Sequence, residues 1–485
     1  MIDLILIAAY FLLMLFLGWK SRHQSADAYW LAERKYGAGR ITLSLVATIF
    51  GASSTMGIIG LGYSRGMTGA WWSLMGGIAL IPLGFFLASR IRSSGVYTLP
   101  DILKKSYGES VAVPAGLMIA IAWCGVISAQ LIAGARLVSG LFPVDFGWSL
   151  LIVAIVFTVY TFWGGQLSVI RTDRWQLLLF VSGLLLALFF LMFSDNLYTV
   201  FWKQVPSGYW NFPVSTAFGW YDLLVFYPLI VGLPYLVGPD IYSRILCAKD
   251  HRAASISTLG AAAIVIPLSL LLAFFGLLVK ARFPDIPPEA ALPHTLDVIM
   301  PMGLKGLIVA GFLGAIMSSA DTCLISASTI LTLNVIRPIL KTGPEKHLGI
   351  TRITVLVLGA VAWGIASRQQ GIIASLLLGY TVFVGGVVVP TLATFFKGWL
   401  RITPRGGLWS IIIGGGSAIL GKVQGGVVMK ELLTEHGRRF FETVLGTHYL
   451  SILPVILSAV VLLLVSRMGG AGQQNLGEPY HGQTS

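Results

Sequence analysis

Residues 311–328 read GFLGAIMSSADTCLISAS, which sets two adjacent hydroxyls, Ser318 and Ser319, and a carboxylate, Asp321, inside an apolar segment spanning about 303–335. An ionisable group at membrane depth is costly unless it faces a cavity, a partner or an ion, so an intramembrane acid marks a functional site. The reading of this stretch decides between a soluble core helix and a membrane helix built around polar groups. Composition takes the membrane side: 56% of residues are apolar, 11% are charged and the mean hydropathy is +0.83. A soluble domain carries about 25% charged residues.

Outward from this stretch, thirteen apolar runs approach the roughly 20 residues needed to cross hydrocarbon. They cover about 2–19, 41–64, 69–89, 112–141, 147–163, 174–196, 221–243, 254–280, 303–335, 351–367, 371–396, 407–421 and 450–466. No soluble domain fits between them, so an all-α polytopic membrane protein of about 13 transmembrane helices is expected. The first run lacks a basic n-region and a small-residue cleavage site, which predicts a retained helix with its N-terminus outside. Loops 20–40, 90–105, 171–174, 244–252, 337–352, 397–405 and the tail hold 22 of the 33 Lys and Arg residues. That positive-inside asymmetry implies an odd number of spans and a cytoplasmic C-terminus in the cell membrane.

The net charge of +13 is therefore topological. It sits in short clusters between spans and not on one face with interleaved aromatics, so the bilayer, not nucleic acid, is the expected partner. Cys124, Cys247 and Cys323 are isolated, with no metal-ligand spacing and no disulfide pattern. The seven histidines all fall in loops or tails without paired spacing, which argues against an integral membrane enzyme using acid-base or metal chemistry. Nothing in the sequence sets an oligomeric state.

Two spans are broken up by glycine and proline. Span 2, LSLVATIFGASSTMGIIGLGY (43–63), brackets Ser53, Ser54 and Thr55 with glycines, and span 7, FYPLIVGLPYLVGPDIYSR (226–244), carries Gly232, Pro234, Gly238 and Pro239. Small residues also let membrane helices pack closely. Interrupted segments at corresponding positions of two halves, however, point to an inverted-repeat transporter with a midplane site. Spans 2 and 7 lie five apart, so spans 2–6 and 7–11 form the expected repeats. The layout becomes 1–40 (peripheral helix and loop), 41–200 and 201–400 (the repeats), and 401–485 (peripheral helices and tail).

A broken helix frees backbone carbonyls that must find partners in the membrane. Freed carbonyls and hydroxyls supply oxygen ligands to a hard monovalent cation without adding charge. On span 9, Gly311, Ala315, Ser318, Ser319, Thr322, Ser326 and Thr329 fall within an arc of about 100° at about 100° per residue, a small polar stripe with Asp321 on its edge. The reading is cation-coupled transport.

The chain resembles the sodium:solute symporters, a family with the LeuT-like inverted-repeat fold. The resemblance runs from about Ser25 to Lys397 through SADAYWLAERKYG (25–37), span 2, AGARL (133–137), GGQLSVIRTDRWQ (164–176), GPDIYSRILCAKD (238–250) and AIMSSADTCL (315–324). In flavour it is nearest to the proline and pantothenate symporter branch. It implies sodium-coupled symport of a small solute into the cytoplasm, with Na+ as coupling ion and not an enzymatic activity. The sodium ligands carried over are the carbonyls of Ala47, Phe50 and Ala315 and the hydroxyls of Ser318 and Ser319. A second cation, used by some members, would fall on Asp173, Asp321 and Thr322. An acid at 321 departs from the Ser or Thr of two-sodium members and leaves sodium, a proton or an ion pair open there. Proton coupling in the same fold is the alternative. Asp173 also reads as an N-terminal helix cap paired with Arg171 or Arg174.

Arg136, in span 4 beside Gly134, Ala135 and Gly140, offers a planar fork that matches a carboxylate bidentately. Snorkelling to the headgroups and a structural ion pair are its other readings. With Arg136 in the first role the solute is a small carboxylate. Ser53, Ser54 and Thr55 supply hydrogen bonds to it. Tyr235 and Pro239 match substrate-path positions of the proline branch, and Tyr380 is an expected gate. Val231 and Gly238 depart from that branch, where an aromatic and an amide are expected, so proline itself is in doubt.

Overall fold

The computed structural model describes residues 2–193, 205–340, 343–368, 371–422 and 448–470, with single positions between 435 and 445. The end of expected span 6, most of the loop 422–439 and the tail after 470 lie outside the described residues. The described chain is helical, without a strand among the described residues. Among the described residues, ten helices are long and apolar enough to cross a membrane. Segments 53–93 and 146–193 each run through two expected spans, and Pro404–Leu420 falls short at 17 residues.

The elements that position the site are α1 (Ile2–Lys20), α2 (Ala26–Leu31), α3 (Ala38–Ile49), α4 (Ile58–Arg65), α5 (Trp71–Pro82), α6 (Glu109–Ser139), α7 (Phe146–Phe193), α8 (Leu233–Val237), α9 (Pro239–Leu246), α10 (His251–Arg282) and α11 (Leu304–Ile330). The chain separates into two compact units. One comprises residues 1–99 and 119–380 and the other residues 100–118 and 381–485. In the second unit, Ser410 Oγ donates to the Ser458 carbonyl (2.9 Å), and Tyr107 donates to the Pro390 carbonyl (3.0 Å). All residues singled out in the sequence lie in the first unit.

Within the first unit, close packing rests on small residues, as membrane interiors require. A Cβ added at Gly62 would stand 2.3 Å from the Ala273 carbonyl, and one at Gly276 would stand 2.1 Å from that of Ile59, so α4 and α10 touch backbone to backbone. Gly165, at φ 55° and ψ −172°, breaks α7 between its two arms. Its conformation suits a residue without Cβ. Asp3 of α1 caps α11: its carboxylate accepts from the Gly303 and Gly306 amides at 2.8 and 2.7 Å, where negative charge favours a helix N-terminus. Large apolar side chains such as Phe85, Phe86, Leu178 and Phe189 point outward, a surface that suits lipid.

Candidate sodium and solute site

Span 2 breaks where its sequence predicts. α3 ends at Phe50 (φ −81°, ψ 53°), and the chain re-enters helical form through a π-helical turn, Ser53–Gly57, before α4. The Ala47 and Phe50 carbonyls accept no backbone hydrogen bond among the described residues. The break is held by side chains instead: Ala52 N donates to Gln130 Oε1 of α6 (2.7 Å), and Thr55 Oγ1 donates to the Gly51 carbonyl (2.7 Å). A Cβ at Gly51 would lie 2.5 Å from Ser319 Oγ. Only a glycine lets the break come this close to α11.

α11 is unbroken, and Ala315, Ser318, Ser319, Asp321 and Thr322 are all buried on it. Ser318 Oγ donates to Asp173 Oδ1 (2.6 Å), while Asp173 Oδ2 accepts from Ser44 Oγ. Arg244 completes this group. Fully buried on α9, its Nη2 lies 3.4 Å from Asp173 Oδ2 and donates to Thr322 Oγ1, and its Nε donates to Thr48 Oγ1 at 3.1 Å. Thr48 and Thr322 are themselves 3.2 Å apart. A buried ion pair is sustained only when its remaining donors and acceptors are satisfied, and here four hydroxyls do most of that. Asp321 stands apart from the pair: Thr161 Oγ1 donates to its Oδ1 (2.7 Å), and its Oδ2 has no partner among the described residues.

Two expectations are thereby corrected. Asp173 lies within the second arm of α7, past Gly165, and is no helix cap; it meets α3, α9 and α11. Arg244, counted among the cytoplasmic loop charges, has no exposed surface. It ends an apolar run, which made it look like a boundary charge. Ser44 and Thr48, one helical turn apart and one turn before Gly51, are the sequence signal that would have found this cluster.

A second group forms where the two broken spans meet. Ser54 Oγ lies 3.3 Å from Tyr235 Oη, the Tyr235 ring presses on Gly76, and Tyr380 is buried. Ser53 is buried, and Thr55 is turned back onto its own helix. Span 7 breaks at Gly238, whose extended backbone (φ −60°, ψ 135°) separates α8 from α9. A Cβ there would stand 2.3 Å from the Pro234 carbonyl, which explains why glycine replaces the amide expected at this place. Pro239 follows at the start of α9 and lines a small cavity with Ser326 and Thr329.

Arg136 belongs to neither group. Its Nη2 lies 2.6 Å from Glu289 Oε2, with the two side chains 29% and 38% exposed, beside a cavity of about 360 Å³ also lined by Ser139, Phe146 and Pro293.

Broken helices, freed carbonyls and an unbroken partner helix carrying paired hydroxyls define a cation-coupled secondary transporter. Residues 29–414 match the sodium:solute symporter family, and the chain belongs to it. Similar proteins include human sodium/glucose cotransporter 4, 26% identical over 475 residues that cover 86% of this chain and 68% of that one. Sodium/proline symporter 2 of Staphylococcus saprophyticus is 26% identical over 436 residues, 84% of each chain. A Na+-coupled sialic acid symporter in a substrate-bound outward-open state shares the fold at a TM-score of 0.78 and 16% identity, over 96% of this chain and 98% of that one. Mhp1, a nucleobase-cation-symport-1 family transporter in a closed conformation, does so at 0.57 and 14% identity, over 92% and 96%. The LeuT-like fold, sodium-coupled symport and a multi-pass membrane location follow from membership. The chain is a carrier, not an enzyme, with Na+ as its coupling ion.

Proposed function

We propose that Na+ binds where broken span 2 meets α11, held by the carbonyls of Ala47, Phe50 and Ala315 and the hydroxyls of Ser318 and Ser319. The approach of Gly51 to Ser319 carries this reading, because it brings the break of span 2 against the helix that bears the paired hydroxyls. A small organic solute then passes Ser53, Ser54, Thr55, Tyr235, Pro239 and Tyr380 by alternating access. Segments 41–200 and 201–400 act as the inverted repeats, 1–40 and 401–485 flank them, and the N-terminus faces outside with the C-terminus cytoplasmic.

The relatives named for proline and glucose support a small solute. Arg136 supports a carboxylate on it. Glu289 already engages the guanidinium, so a carboxylated solute enters by displacing Glu289 at the outer cavity. For the second cation, Asp173 and Thr322 are both engaged by Arg244, which supports one Na+ per solute. Asp321, with its unpartnered oxygen, is the remaining place for another cation. One Na+ with a monoanion moves no net charge and forgoes the roughly 2.3 kcal/mol per charge that each 100 mV supplies.

The test is uptake into proteoliposomes under an imposed Na+ gradient, with L-proline, glucose and simple carboxylates as probes. Ser318→Ala combined with Ser319→Ala abolishes Na+-driven uptake. Full uptake in that double variant rejects the sodium site, and glucose as the best probe rejects the role of Arg136.

A further inference from the structure

Beyond the sodium ligands, the polar face of α11 continues to Ser326 and Thr329, which transport as proposed leaves unused. Both side chains are 4% exposed, and neither hydroxyl has a hydrogen-bond partner among the described residues. Helical hydroxyls ordinarily return to the carbonyl one turn earlier, as Thr322 does to Ser318 (2.8 Å). Ser326 and Thr329 instead line a cavity of about 10 Å³ together with Pro239 and Ser243 of α9. That volume is about one water-sized sphere, and no charged side chain lines it.

Trp30 and Tyr97 also line this cavity, and they line a larger basin of about 520 Å³ with Asp27, Arg337 and His347. Their rings meet edge to face at 6.1 Å and 86°. Each is latched: Tyr97 Oη donates to Asp27 Oδ1 (3.0 Å) and Trp30 Nε1 donates to Thr351 Oγ1 (3.3 Å). The basin belongs to the loop 20–40, which the charge pattern assigns to the cytoplasm.

We infer that Ser326 and Thr329 form a transit site for Na+ between the sodium site and the cytoplasm, with the Trp30–Tyr97 pair as its door. The inference rests on the sodium site proposed above. A neutral hydroxyl pair suits transit, because a waypoint must bind well enough to admit an ion and weakly enough to release it.

Purified full-length protein in nanodiscs, loaded with radioactive Na+ and chased with unlabelled Na+, tests it. Ser326→Ala with Thr329→Val keeps equilibrium binding and slows release about tenfold, the loss of about one neutral polar contact from the exit route. Trp30→Ala speeds release, and Ser326→Thr, which keeps the hydroxyl, releases as wild type does. Wild-type release in both the Ser326/Thr329 double variant and Trp30→Ala overturns the transit site and leaves a cavity for water alone. Weakened equilibrium binding in the double variant, or slow release in Ser326→Thr, also overturns it. Absence of bound Na+ in the wild type removes the sodium site itself, and the transit site with it.

Discussion

Replacing Gly51 by alanine tests the geometry of the sodium site with a single methyl group. The new Cβ would stand 2.5 Å from Ser319 Oγ, 2.6 Å from Ser319 Cβ and 2.6 Å from Gln130 Oε1, about 1 Å inside ordinary contact. The neighbours that must yield are the two that matter: Ser319 is a proposed ligand, and Gln130 accepts the Ala52 amide and so holds the break. Overpacking of this kind costs about 1–3 kcal/mol. Because the clash falls on the arrangement proposed to bind the ion, that cost weakens Na+ binding roughly 5- to 150-fold. The assay is equilibrium binding of radioactive Na+ to protein in nanodiscs, with thermal unfolding measured in parallel. Gly416→Ala, where nothing lies within 4 Å of the added carbon, is the control and leaves both unchanged. A folded Gly51→Ala variant with wild-type Na+ affinity would refute the placement of the site at this contact.

Three further outcomes follow from the polar groups. Arg244→Ala strands Asp173 as a buried charge, a loss of about 3–5 kcal/mol; it appears as a lowered unfolding temperature that Asp173→Asn in the same chain partly restores. Glu289→Gln frees the Arg136 fork while costing under about 1 kcal/mol, because the pair is partly exposed. Apparent affinity then rises for carboxylated solutes and stays constant for neutral ones, measured in parallel uptake titrations; equal effects on both classes count against the carboxylate role. Asp321→Asn leaves the charge moved per solute unchanged if one Na+ is carried, and a reversal-potential shift equivalent to one charge would instead locate a second cation there.

The parts legible in the sequence were those with a local signature. Breaks leave Gly and Pro in a helix, so the interruption of spans 2 and 7 could be read in advance, and the structure puts the breaks at Phe50 and Gly238. The paired hydroxyls of α11 announced themselves as polar atoms in an apolar run. The rest depends on partners far along the chain. Asp173 resembles a helix cap because arginines flank it, and only the packing of α3, α9 and α11 around it reveals a buried ion pair. Arg244 sits where an apolar run stops, and in sequence such a residue is indistinguishable from a topological charge. Arg136 offered three readings of its own, and Glu289, which engages it, lies more than a hundred residues away with no local pattern to connect them. Where one span's helix passes into the next was likewise not legible, because the helices run on through short turns at 66–70 and Gly165.

The contact between α4 and α10 has a mechanical consequence. Gly62 meets the Ala273 carbonyl and Gly276 meets that of Ile59 with no side-chain layer between them. Two helices separated by side chains can slide by exchanging rotamers, but two backbones in direct contact have nothing to exchange. Shear between α4 and α10 is therefore stiff, and the contact couples the pair into one strut. Bending within span 2 is left to the break at residues 50–52, ahead of the π-helical turn and α4, so the joint free to flex is also the one proposed to hold the ion.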